Sequence, residues 1–316
     1  MCQKLQEKNG LIFLKKILTL IITCSLICSI AGCSKKEEKK SKKKDISSSE
    51  VTVTEPSTQT NAVVSVNAEL PHAVPEAEGI FVFDDANLLN KADFAACNNY
   101  AEWLNEQYLI NVCVVTTDNL DGENVQTFAE NTYNDKFGSL GGGMVVVINN
   151  DTNNDYIYKH GCCTKIDESL ESSTFLNATK QIVSTQSYGN AIIAMLSLAE
   201  TLPAHICDNS DILSNDEISE LEEMCADKNI MLYISENSSS KSNDDICNEY
   251  FNRKFADSRS GDSTLIFLDT SSNSFTLLSA KKSNVTTLIA DAEEQAENGE
   301  YMEACKSMIS HFLSGV

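Results

Sequence analysis

The second half of this 316-residue chain repeats, in order, the motifs of the first, and that repeat restricts the fold more than any other feature. Phe83-Asp84-Asp85-Ala86-Asn87-Leu88-Leu89-Asn90 is matched by Cys207-Asp208-Asn209-Ser210-Asp211-Ile212-Leu213-Ser214. Tyr133-Asn134-Asp135-Lys136-Phe137 is matched by Phe251-Asn252-Arg253-Lys254-Phe255, and Val145-Val146-Val147-Ile148-Asn149 by Leu265-Ile266-Phe267-Leu268-Asp269. Near the end, Tyr188, Ala191 and Met195 have Tyr301, Ala304 and Met308 as counterparts. Self-similarity over so long a period means two copies of one folding unit. The expected boundaries are 78–204 and 205–316, the second copy being the shorter.

Each copy has one coarse plan. Asn90 and Ser214 stand where a helix would be capped, and Phe94, Cys97, Ala101, Leu104 and Tyr108 follow at helical spacing. In the second copy Ile218, Leu221, Met224 and Cys225 do the same. Then come an apolar strand (112–115 or 230–234), a second helix (125–137 or 245–255), a strongly apolar strand (144–148 or 265–268) and a further strand (156–158 or 275–278). A final helix is expected over 172–202, with a break near Tyr188-Gly189, and over 285–313 in the second copy. Strands that alternate with helices and are apolar throughout require a sheet covered on both faces. The fold class is therefore α/β, with tandem αβα sandwich domains.

The N-terminus sets the address. Lys4, Lys8, Lys15 and Lys16 precede an apolar run from Ile17 to Ile30, which is shorter than the ~20 apolar residues a membrane span needs. Ile30-Ala31-Gly32-Cys33 resembles the bacterial lipobox. That resemblance implies a signal peptide over 1–32, removed when the Cys33 thiol takes a lipid. Attachment to the outer face of the cell membrane follows, since two or more acyl chains anchor stably. Residues 33–77 are rich in Lys, Ser and Thr with no sustained apolar period, and read as a disordered tether with a reach of about 35 Å. Its lysines lie beside the lipid, within reach of anionic headgroups.

Charge separates along the chain. Eleven of the 24 basic residues but only four of the 46 acidic ones fall in residues 1–45, leaving 13 basic and 42 acidic beyond them. So acidic a body excludes a nucleic-acid partner, whose phosphates demand a basic face. It is compatible with cations, basic partners or plain solubility.

The first copy resembles the TPM domain, a phosphatase-like domain of bacterial envelope and thylakoid-lumen proteins. The resemblance is carried by Asp84-Asp85-Ala86-Asn87-Leu88-Leu89-Asn90, the strand Val112-Cys113-Val114-Val115-Thr116, and Phe128-Ala129 through Phe137-Gly138. Gly141-Gly142-Gly143 leading into Met144-Val145-Val146-Val147, and Tyr188-Gly189-Asn190-Ala191, complete it. It covers roughly 80–202, and the second copy joins it only through the first. The resemblance implies an αβα sandwich outside the cytoplasm and, in some members, weak acid phosphatase activity with a divalent cation. Two departures stand out. Asn154-Asp155 takes the place of the family's Asp-Arg, and His160-Gly161-Cys162-Cys163 the place of its Gly-x-Gly.

Candidate cation ligands are Asp84, Asp85, Asp151, Asp155 and Asp167, whose oxygens would suit Ca²⁺ or Mg²⁺. Asp151-x-Asn153-x-Asp155 imitates the start of an EF-hand loop, but Tyr156 and Cys162 stand where that loop needs Gly and Glu. A polar hairpin turn accounts for the same residues, and a strand-to-helix turn accounts for Asp84, whose counterpart Asp208 persists in the second copy. The Gly141-Gly142-Gly143 loop precedes a strand and lacks the Lys-Ser/Thr of a phosphate loop. Eight cysteines follow residue 33; six stand where the other copy has an apolar or small residue, as core thiols do. No zinc-type spacing of Cys and His exists beyond the leader. The function expected is a binding or accessory module of the envelope, engaging a protein or another envelope component. The alternative is a divalent-cation-dependent acid phosphatase working through the first copy.

Overall fold

The computed structural model describes residues 67–138, 140–152, 154–256, 262–280 and 285–313. The leader, Cys33 and the tether up to residue 66 lie outside the described residues. The first half runs β1 (Val82–Asp84), α1 (Lys91–Tyr108), β2 (Asn111–Thr117), α2 (Val125–Phe137), β3 (Gly143–Asn149), β4 (Tyr156–His160), α3 (Glu168–Thr185) and α4 (Tyr188–Leu196). A 3-10 turn, Gly161–Lys165, joins β4 to α3. The second half runs β5 (Ile206–Asp208), α5 (Asn215–Cys225), β6 (Ile230–Ser235), α6 (Asn243–Phe255), β7 (Thr264–Asp269), β8 (Ser274–Ser279), α7 (Thr286–Glu297) and α8 (Tyr301–Leu313).

Both halves build one four-stranded sheet of the same topology. The orders are β1-β2-β3-β4 and β5-β6-β7-β8, with two parallel pairings followed by one antiparallel pairing in each. The register agrees as well: Asp84 pairs with Thr116 and Asp208 with Ile234. The matched motifs thus occupy matched places.

Side chains alternate across each strand, so each sheet buries two faces. Val112, Val114, Met144, Val146 and Ile148 share a core with Cys97, Tyr100, Ala101 and Leu104 of α1 and Ile192 and Met195 of α4. Cys113, Val145 and Val147 pack against Ala129 and Tyr133 of α2. That is the expected αβα sandwich. In the second half Leu232, Ile234, Ile266 and Leu268 meet Leu221 and Cys225 of α5 and Ala304, Cys305 and Met308 of α8. Its other face, under α6, belongs to the same apolar cluster as the first half's α1 core, with Tyr233, Cys247, Tyr250 and Phe267 in it. Helix α6 is therefore packed between its own sheet and the first half.

Polar contacts follow the same seam. Arg253 of α6 donates from Nε and Nη2 to the Asn105 carbonyl at 2.9 and 2.7 Å, and from Nη2 to the Ile110 carbonyl. Lys254 donates to the Gln107 carbonyl. The last carbonyls of a helix have no partner within it and attract cations. Helix α1 has no basic residue in its own last turn, so the second half supplies them.

Local signals act as the sequence suggests. The Asn90 side chain accepts from the Ala92 and Asp93 amides, and Ser214 forms a reciprocal capping box with Glu217. The final helix of the first half breaks between Thr185 and Tyr188, as expected. The second half differs from expectation: the run 285–313 is two helices, because Gly299 adopts a φ of 79° that ends α7 before α8 begins. All eight cysteines beyond residue 33 are free and buried.

Candidate functional site

In an open α/β sheet, ligands are received outside the carboxyl ends of the parallel strands. In the first half that edge is made by the ends of β1, β2 and β3: Asp84-Asp85, Thr116-Thr117-Asp118 and Asn149-Asn150-Asp151. The loop from Asp84 to Asn90 must turn from strand to helix within six residues, and Asn87 does so with a left-handed φ of 52°. Asp84 holds this turn. Its Oδ1 accepts from the Leu88 amide at 2.9 Å and the Thr116 hydroxyl at 2.5 Å, and its Oδ2 accepts from the Leu89 amide at 3.0 Å. A carboxylate offers about four lone-pair sites, so most of Asp84's accepting capacity serves the backbone and β2.

The neighbouring polar groups bind each other. The Asn150 amide donates to Asp118 Oδ1 at 2.7 Å, and the Tyr188 hydroxyl lies 3.4 Å from Asn150 Oδ1. The β3–β4 turn is closed by the Asn149 amide donating to Asp155 Oδ1 at 3.1 Å and the Asp151 amide donating to Asn149 Oδ1 at 3.2 Å. Burial pushes the Asp155 carboxyl up from its ordinary pKa, and the Asn149 N–H opposes that shift. Asp85 and Asp151 point to solvent. Asp167 lies beyond the other end of β4, where its side chain caps α3 by accepting from the Leu170 amide at 2.8 Å. The structure thus brings Asp84, Asp85, Asp151 and Asp155 to one edge and leaves Asp167 elsewhere. Among the described residues, no three His, Cys, Asp or Glu side chains converge to hold a metal ion. The donor set does not fit a divalent cation, because the half-buried carboxylate at its centre is already engaged by three donors.

A separate cavity of about 410 Å³ lies between β4 and α3, lined by Asp155, Lys159, Glu168, Glu171 and Phe175 among others. Its one cation is spoken for: Lys159 Nζ sits 2.5 Å from Glu171 Oε2.

The corresponding edge of the second half is closed by the first. Asp208 Oδ1 accepts from the Ser210 amide and Oδ2 from the Leu213 amide, at 3.1 and 2.9 Å. Lys165, from the 3-10 turn of the first half, places its Nζ 3.4 Å from Asp208 Oδ2, 3.0 Å from Asp211 Oδ1 and 3.0 Å from the Leu213 carbonyl. Asp269, the counterpart of Asn149, accepts from the Asn237 and Ser271 amides and from the Ser271, Ser272 and Asn243 side chains. Burial works to raise its pKa, but these donors outweigh it and hold the carboxyl below its ordinary value.

The glycine loop is explained by the same junction. A Cβ on Gly142 would stand 2.2 Å from Asn209 Oδ1 and 2.9 Å from the Cys162 backbone nitrogen, and one on Gly141 would stand 2.3 Å from the Tyr233 hydroxyl. The triplet opens β3 at the amino end of the parallel strands, and there the second half rests on it. Sequence reasoning missed this, and it missed Lys165; both depend on contacts between residues far apart in the chain. Tyr188-Gly189-Asn190 also has a definite task. A Gly189 Cβ would meet Asp93 Cγ at 2.7 Å, and Asn190 Oδ1 accepts from the Glu69 amide at 2.8 Å. The motif lets α4 approach α1 and ties the incoming chain to both.

Residues 82–201 match the family model described as TPM domain. Among solved structures the chain is similar to the N-terminal domain of a Corynebacterium glutamicum protein, with 15% identity, a TM-score of 0.33, and coverage of 43% of this chain and 89% of that one. It is similar also to the N-terminal domain of a P. gingivalis protein, with 16% identity, a TM-score of 0.35, and coverage of 43% and 92%. Among curated proteins none matches. Residues 82–201 of this chain are a TPM domain.

Proposed function

We propose that this protein is a lipid-anchored binding module on the outer face of the cell membrane, made of a TPM domain and a degenerate repeat of it over 205–316. The observation that carries this reading is the use of Asp84. Its carboxylate fastens the strand-to-helix turn through Leu88, Leu89 and Thr116, and Asp208 fastens the equivalent turn of the second half. A role kept in a copy whose edge is closed by Lys165 is a role in folding. The resemblance of Ile30-Ala31-Gly32-Cys33 to a lipobox supports the anchor.

The open edge of the TPM domain is the binding surface in this reading. Asp85, Asp118, Asp121 and Asp151 are all exposed around it, on a body with an excess of acidic residues. Such a rim steers and holds a basic segment of an envelope protein through complementary charge. Among the described residues, the strand ends Asp84-Asp85, Thr116-Thr117-Asp118 and Asn149-Asn150-Asp151 carry no Lys or Arg of their own, so the acid phosphatase alternative would lean chiefly on a bound Ca²⁺ or Mg²⁺.

A titration of melting temperature with Ca²⁺ and Mg²⁺ tests the choice. The binding-module reading expects no specific rise at millimolar cation. A saturable rise in the native protein that is absent in Asp84→Asn would reveal a carboxylate cation site and favour the phosphatase.

A further inference from the structure

Cys207 of β5 and Cys162 of the 3-10 turn meet across the junction between the two halves. Their Sγ atoms are 3.4 Å apart, although the residues are 45 positions apart in sequence. Two other buried thiols of this chain face backbone instead. Cys97 donates to the Gly189 carbonyl at 3.6 Å and Cys247 to the Thr276 carbonyl at 3.8 Å.

The surroundings hold the two sulfurs in place. The Cys162 amide donates to Asn209 Oδ1 at 3.1 Å, and the same oxygen lies 3.5 Å from Cys207 Sγ. Cys207 is fixed in β5 by its pairing opposite Tyr233. Gly142 and Gly161 leave the space that a Cβ would take from Asn209. Lys165, three residues after Cys162, and Asp208, next to Cys207, form an ion pair on the same seam.

We propose that Cys162 and Cys207 are a disulfide site that covalently staples the TPM domain to the second half. A sulfur–sulfur bond is about 2.05 Å long, so the pair must close by roughly 1.4 Å, within reach of side-chain rotation. The oxidant is a disulfide-bonded reagent, RSSR. One cysteine, as thiolate, attacks a sulfur of RSSR, forming a mixed disulfide and expelling RS⁻. The second cysteine loses its proton and attacks the protein sulfur of that mixed disulfide, forming the Cys162–Cys207 bond and expelling the second RS⁻. The two thiol protons end on two RSH, and the two electrons reduce RSSR.

Timing follows from burial. Both thiols are almost wholly buried, and burial pushes the Cys207 thiol well above its ordinary pKa, as contact with Cys163 and burial do for Cys162. Folded reduced protein therefore reacts slowly, and the bond forms as the halves dock during folding. Cys163 is the competing partner for Cys207. It lies in the same apolar cluster as Cys162 and Cys207, and its bond to Cys162 would need a strained ring between neighbouring residues.

The test is to refold the full chain in detergent with reduced and oxidised glutathione, and separately with reductant alone. Both samples are checked by circular dichroism, alkylated under denaturing conditions and mapped by mass spectrometry. The expected result is a Cys162–Cys207 linked peptide pair, 2 Da lighter than the two thiol peptides. The oxidised sample should melt several degrees higher, since the bond closes a long loop. Cys163→Ala should keep the bond and Cys207→Ala should lose it. Alkylation of both Cys162 and Cys207 after oxidative refolding would overturn the proposal. So would a Cys163–Cys207 bond, or native structure in the reduced sample alone.

Discussion

Lys165 Nζ of the first half lies 3.4 Å from Asp208 Oδ2 of the second, on a side chain with no exposed surface of its own. This contact decides how the two halves differ. Asp84 and Asp208 end equivalent strands, yet among the described residues Asp84 is held by Leu88, Leu89 and Thr116 of its own half, whereas Asp208 also meets Lys165 of the other. Lys165→Met should lower stability by about 2 kcal/mol, because it leaves a buried carboxylate with backbone donors alone. Urea unfolding would show it. The exposed pair of Lys306 with Glu220 is the control, and Lys306→Met should leave the unfolding midpoint where it is.

Asp84 is expected to matter for stability first. Asn in its place can still accept from one side but presents an amide donor towards the Leu88 or Leu89 N–H. Asp84→Asn should destabilise by about 1–3 kcal/mol, measured by chemical denaturation. Asp208→Asn should lose a similar amount. A neutral Asp84→Asn would contradict the turn-fastening role.

His72 tethers the incoming chain in a pH-dependent way. Its Nε2 is 2.9 Å from Glu200 Oε1, and its ring meets Trp103 edge-on with centroids 4.4 Å apart. The Glu200 hydrogen bond, followed by that to Ala73, raises its pKa above 6.5. A raised folded pKa means the contribution is complete below about 6.5 and is lost as pH climbs through the folded value. Limited proteolysis near residue 72 should therefore quicken as pH rises from 6 to 8. His72→Gln should cleave at a rate that does not change over that range.

The anchor has its own test. Cys33→Ser should abolish incorporation of labelled fatty acid into the protein in cells that make it. Labelling equal to that of the native protein would exclude lipidation at this residue.

Local physics was legible in the sequence. The Asn90 and Ser214 caps, the bounds of α2, and the break before Tyr188 follow from short-range patterns of polar and apolar residues. Asp84 and Asp167 show the limit. An Asp that fastens a turn and an Asp that caps a helix have the same side chain and the same company as one that holds a cation. Only the donors around each oxygen separate these roles. The break at Gly299 was missed because a single glycine inside an apolar helical period is often tolerated. The contacts of Arg253 with α1, of Lys165 with Asp208, and of Gly142 with Asn209 join residues remote in sequence. No periodicity reports such contacts. They arise when α6 packs against α1 and the two halves come to share one core.

The most direct test of the binding-module account is phosphate monoester hydrolysis by the purified protein at acidic and neutral pH, with Ca²⁺, with Mg²⁺ and with chelator. The account predicts the same background rate in all conditions for the native protein and for folded Asp84→Asn. Cation-dependent turnover in the native protein, lost in folded Asp84→Asn, would contradict it.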